Sequence, residues 1–165
     1  MVKGHCEAEY VHLFGDYDEP PYAEALNRFY EKGPRPDWPQ QFVSAYASMH
    51  PWEDFAETWS TYLDVTSAID TAEHIGFGGE RNPGQADLDS LVLRFQQLGL
   101  ALNEINRGAG LLDVVPEIFI QPVITKLHFV HNLVARCRMD TRPDPTSATG
   151  PSAAAQHANA KKQRR

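Results

Sequence analysis

The chain has 165 residues, enough for one domain with its own core. A net charge of −7 argues against nucleic acid as the main partner, because phosphate binding needs a basic surface. With only Cys6 and Cys137, polar residues after Met1, and no run near the roughly 18 apolar residues of a membrane span, the expectation is a soluble cytoplasmic protein with reduced thiols, no membrane contact and no Cys-x-x-Cys site.

In chain order the pattern predicts an all-α protein. Residues 1–12 read as an irregular or weakly helical lead-in. Pro20-Pro21 opens a helix through about Lys32, which Gly33-Pro34 ends. After a Pro-rich connection, residues 40–49 read as helical, with Phe42, Val43 and Tyr46 inward. A long helix runs from Pro51 to about His74 and stops at Gly76-Phe77-Gly78-Gly79. A polar loop over 80–86, with Asn82-Pro83-Gly84 as its turn, leads to Asp87, which caps the next helix. There Leu88, Leu91, Phe95, Leu98, Leu102 and Ile105 form a seam at spacings of three and four. A last helix starts at Pro122, capped by Gln121, and buries Val123, Leu127, Val130 and Val134. Residues 1–139 are thus read as one helical domain. Residues 140–165, rich in Pro, Ser and Ala with a basic end, are read as a disordered tail, too poor in apolar residues to offset ordering entropy.

The most informative stretch is His50-Pro51-Trp52-Glu53-Asp54-Phe55-Ala56-Glu57-Thr58-Trp59 with Tyr62, Leu63 and Asp64 beyond. Pro51 suits the first helical position, and Glu53 and Asp54 in the first turn suit the positive end of the dipole. Trp52, Phe55, Trp59, Tyr62 and Leu63 make an apolar face, while Glu53, Glu57, Thr61 and Asp64 fall on another stripe. Glu53 and Glu57, one turn apart, repel by a few tenths of a kcal/mol or so, which a helix with no use for the pair would avoid.

With Phe42-Val43-Ser44-Ala45-Tyr46-Ala47-Ser48 before it, this motif resembles the C-terminal half of the zinc-binding metallopeptidases of bacteria. Leu13-Phe14-Gly15-Asp16, the Tyr22-Ala23-Glu24-Ala25-Leu26 helix and Lys126-Leu127-His128-Phe129-Val130-His131 match in the same order, so the resemblance covers roughly residues 11–136. It implies a gluzincin-like site. A His-Glu-x-x-His helix gives two zinc ligands and the general base, and a later glutamate completes the set, leaving one position for water. Glu53 matches the third ligand, and Glu57 the outer carboxylate that orients a ligating His.

This chain has no His-Glu-x-x-His: none of its seven His has another four residues away. Thr61 and Asp64 stand where family members often carry His. Three accounts fit: a fragment, a misplaced start, or a member that lost its metal. At the N-terminus, His5 and His12 are seven apart, about 10 Å along a helix, too far to share one metal, and Glu7 and Glu9 do not repair that. Tyr46 and Tyr62, His50, and His128 with His131 read better as structural residues than as ligands.

The resemblance therefore implies zinc-dependent peptide-bond hydrolysis in the complete protein, acting on a peptide or protein. Zinc is the cofactor of the complete family, and none is expected on this chain alone. The alternative is a non-catalytic helical binding or interaction domain.

Overall fold

The computed structural model describes residues 6–77, 87–115 and 118–140, with side chains to 137. Among these there are five α-helices and no strand, so the all-α expectation holds. The helices are α1 (Glu7–Phe14), α2 (Tyr22–Lys32), α3 (Pro51–His74), α4 (Leu88–Gly108) and α5 (Gln121–Asp140). The chain divides into two compact units, Met1–Leu133 and Val134–Arg165. The first five residues, the 80–86 loop with Gly78 and Gly79, and residues 141–165 of the expected tail lie outside the described residues.

Residues 7–12, expected as a loose lead-in, belong to α1. A helix of eight residues is marginal alone, and tertiary packing supplies what length does not. Tyr10 and Phe14, four apart on one face, are buried against Phe55 of α3 and Phe129 of α5, with ring centroids 5.4–6.3 Å apart. The Tyr10 hydroxyl donates to the Pro51 carbonyl at 3.1 Å, tying α1 to the start of α3.

Residues 40–49 are not a helix. Only two short 3-10 turns form, at Trp38–Gln40 and Ala47–Met49. Serine hydroxyls take the backbone groups that a helix would use. Ser44 Oγ accepts from Ala47 N–H at 3.0 Å, and Ser48 Oγ donates to the Ala45 carbonyl at 2.7 Å.

Helix α3 has the predicted limits. His50 is the cap: its Nδ1 accepts from Trp52 N–H at 3.1 Å, and Pro51 follows at the first helical position. At the other end Gly76 takes φ +75°, the left-handed conformation that lets Phe77 N–H reach the Ala72 carbonyl at 2.7 Å. The buried face differs from expectation. Asp54, Thr58, Tyr62, Val65, Ile69 and Ala72 are buried, whereas Trp52 and Leu63 are about half exposed, at 49% and 50%. The helix is rotated so that its first buried side chain is a carboxylate.

That carboxylate meets Lys126 of α5, also buried, at 2.6 Å. The Lys126 ammonium donates to the Gln41 carbonyl at 3.1 Å as well and lies 4.4 Å from the Phe42 ring centroid. Around it α5 buries Val123, Leu127 and Val130 as expected, together with Phe129 and Leu133; Val134 is half-buried.

Helix α4 is capped by Asp87, whose carboxylate accepts from Asp89 N–H at 2.8 Å. Its buried line is Leu88, Val92, Gly99 and Asn103, so the predicted seam is used only in part: Leu102 and Ile105 face solvent. The reason is Asn103. Fully buried, it donates to the Val115 carbonyl at 2.8 Å and accepts from Val114 and Val115 N–H at 3.1 and 3.2 Å, turning this end of α4 towards the segment that follows.

Burial pushes the Asp54 carboxyl up to about 6, with Lys126 pulling the other way. Its Oδ1 makes no hydrogen bond among the described residues. A folded carboxyl that holds its proton more tightly than the unfolded one adds stability below pH 3.8, and that contribution is lost as pH rises through about 6. The stability difference between the native chain and Asp54→Asn should therefore shift by about 1–3 kcal/mol between pH 4 and pH 6.5, with the native chain relatively more stable at pH 4. Urea denaturation at the two pH values measures it. A difference independent of pH would mean that Asp54 ionises as it does in the unfolded chain.

Candidate functional site

Glu53 precedes Asp54 by one residue and lies on a different side of α3. Successive helical side chains are about 100° apart, so burying Asp54 turns Glu53 to the flank. There the Tyr22 hydroxyl, at the first residue of α2, donates to Glu53 Oε1 at 2.6 Å. This bond pushes the Tyr22 hydroxyl's pKa up, and the neighbouring Tyr46 hydroxyl adds to the shift. Glu53 is half-buried, and no second hydrogen bond reaches its carboxylate among the described residues.

His50 sits beside this pair and is buried. Its ring packs edge-on to Tyr22 with centroids 5.3 Å apart. Because Nδ1 accepts from Trp52 N–H, the ring proton is on Nε2, which donates to the Pro20 carbonyl at 3.1 Å. Both nitrogens are committed, and His50 has no lone pair left for a metal.

Glu57 is half-buried on the same stripe as Glu53, and its carboxylate has no hydrogen-bond partner among the described residues. The Thr61 hydroxyl is spent on the Glu57 carbonyl at 2.8 Å, and Asp64 is exposed. The other described histidines lie on other contacts. His128 Nε2 is 2.9 Å from Asp89, His131 Nδ1 is 3.3 Å from the Tyr62 hydroxyl, and His74 Nδ1 is 2.7 Å from the Asp70 carbonyl. At the N-terminus the Glu7 carboxylate accepts from Tyr17, whose pKa it pushes up to about 12, while Glu9 and His12 are exposed. His5 and His157 lie outside the described residues.

Zinc needs three protein ligands and one open position for hydrolytic work. Among the described residues no group of three His, Cys, Asp or Glu is placed to hold a metal ion. The described residues around Glu53 therefore do not by themselves make up a zinc set. A cleft of about 140 Å³ between α3 and α4, lined by Ile69, Ala72, Phe77, Arg94, Gln97 and Leu98, is too remote to matter here. It begins sixteen residues along α3 from Glu53, about 24 Å away.

Residues 1–133 match the family described as "Putative zinc-binding metallo-peptidase", the same span as the first compact unit. An uncharacterized protein of Mycobacterium bovis and uncharacterized proteins from two strains of Mycobacterium tuberculosis are each 35% identical to this chain over 137 residues. The match takes in 79% of this chain, which spans about 40% of the length of these curated relatives. No solved structure matches it significantly. No helix among the described residues is long and apolar enough to cross a membrane.

With no hydrogen-bond partner for its carboxylate among the described residues, Glu57 is expected to contribute little to stability. Glu57→Gln removes a charge one turn from Glu53 and keeps helix propensity, so the change should be neutral or stabilising by at most about 0.5 kcal/mol. Chemical denaturation of the two proteins side by side checks this; a loss above about 1.5 kcal/mol would reveal a buried charged partner.

Proposed function

The chain belongs to this metallo-peptidase family, and we propose from that membership that it supplies one glutamate ligand and the helical frame of a zinc-dependent peptidase acting on peptide bonds. The observation that carries the reading is Glu53, set on the first turn of α3 with Oε1 held by Tyr22 and no second hydrogen bond to its carboxylate among the described residues. In a complete site of the family, a bound zinc would supply the Lewis acidity that activates water and the carbonyl to be cleaved, and Glu53 would be one of the residues holding it. The part of this chain is to present a pre-set carboxylate. In this reading the two His ligands and the general base would come from a His-Glu-x-x-His, which this sequence does not contain, so the chain by itself is proposed to be inactive.

A second reading is a non-catalytic helical interaction domain. It is supported by the exposed aliphatic side chains at the end of α4 and just beyond it: Ile105, Leu112, Val114 and Ile118 are 65–86% exposed.

Elemental analysis after dialysis separates the two. The chain alone should carry well under one zinc. A chimera in which this chain replaces the matched region of the Mycobacterium tuberculosis relative should carry one, and Glu53→Ala should remove it. A zinc-free chimera favours the interaction domain. One zinc on the lone chain, lost with Glu53→Ala, would contradict the shared site.

A further inference from the structure

Helix α4 carries more apolar seam than α3 covers. α3 ends at His74, and its last turn meets α4 at Arg94, whose guanidinium pairs with Glu73 at 2.6 Å. From Leu98, α4 runs on to Gly108, about 15 Å further. Along that length the spacing of three and four continues through Leu102 and Ile105, which are 41% and 65% exposed. A seam of this kind is what one helix offers to another.

The seam has a hole and a knob. The hole is the cleft of about 140 Å³ where Leu98 meets Ile69 and Ala72, and a cavity of about 150 Å³ takes a group as large as benzene. The knob is Ile105, two turns on, about 10 Å from Leu98 on the same face. A two-fold axis midway between them, at Ala101 and Leu102, sets the Ile105 of each copy against the Leu98 and the cleft of the other. A surface on which each residue meets the other's partner in this way is self-complementary, which is the condition for a closed dimer. The same axis sets half-buried Phe95 opposite Gly108, where an added Cβ would meet nothing, and Gln97 opposite Asn106.

Charge and area agree with this partner. Between residues 94 and 109 the seam face holds one charged side chain, Arg94, which comes opposite Ala109, so no like charges meet there. Glu104 and Arg107 lie off the seam and pair with each other at 2.6 Å. The net charge of −7 therefore resides away from this face, and salt screens it beyond about 8 Å at physiological ionic strength. Ile75 and Phe77 flank one end of the seam and Leu112 lies past the other, 52–86% exposed. With Leu102, Ile105 and the small residues between them, the open apolar surface is on the order of the ~800 Å² per partner that a stable interface buries.

We propose that the distal half of α4 is a self-association surface, pairing antiparallel with α4 of a second copy of this chain so that each Ile105 seats at the other copy's cleft. The inference rests on the exposed face behind the second reading above and names its partner; it does not depend on the zinc reading.

Sedimentation equilibrium of the full chain tests it. The mass should rise with concentration from that of one copy to about twice that. Ile105→Glu should weaken the association by about 30-fold or more, while its melting temperature in dilute solution stays within about 4 °C of the native chain's. Leu93→Glu, at an exposed leucine on another face of α4, should leave the dimer intact. Under mild oxidation, copies carrying Leu98→Cys should form disulfides with copies carrying Ile105→Cys in preference to their own kind, read by peptide mass spectrometry. A chain that stays monomeric at every concentration overturns the proposal, and so does a dimer that survives Ile105→Glu. Disulfides joining 98 to 98 and 105 to 105 overturn it by showing a parallel pair. A dilute melting temperature lower by 10 °C or so in Ile105→Glu overturns it by showing that the single chain already covers that side chain. None of these outcomes changes the zinc content of the chimera, which alone decides between the two readings of function.

Discussion

The buried ion pair of Asp54 and Lys126 sets the rotation of α3, and the rest of the site follows from that rotation. The side chains are 1% and 8% exposed, and the ammonium has Gln41, Phe42 and Phe14 around it. Removing two charges from water costs several kcal/mol for each ion, and close attraction offsets this only in good geometry. Apolar residues of the same volume would serve stability as well or better. What the pair adds is a unique arrangement: α3 has one orientation that brings Asp54 to Lys126, and any other leaves a charge buried alone.

That orientation accounts for features that otherwise look unrelated. Trp52 and Leu63 stay half exposed because the polar line of Asp54 and Thr58 has taken the inner face. Gln41 holds its carbonyl out to Lys126 instead of turning into a helix. Glu53 is carried to the flank, where α2 offers Tyr22. Position 53 is thus linked mechanically to the core through its neighbour, even though its own surroundings are half open.

Much of this was legible in the sequence, and the gaps have physical causes. The limits of α3, the Asp87 cap and the inner residues of α5 follow from local capping chemistry and periodicity, which act within a few residues. Asp54 looked like an ordinary first-turn acid favoured by the dipole, because its partner lies 72 residues away. Periodicity also assigns apolar residues to the inside, which misplaced the faces of α3 and α4, where Asp54 and Asn103 take buried positions that polar groups hold only with partners. Glu53 could be singled out by its motif. Tyr22 could not, since it lies 31 residues away with no spacing rule to join them, although its helix was among the matching pieces.

The measurement that bears most directly on this account is a double-mutant cycle between Asp54→Asn and Lys126→Met, read by urea denaturation at pH 7. If the pair orients α3, Lys126→Met alone should cost about 3 kcal/mol or more, and the coupling energy between the two changes should reach about 2 kcal/mol. A coupling energy below about 0.5 kcal/mol would mean that the two side chains contribute independently, and that something other than their charge sets the rotation of α3.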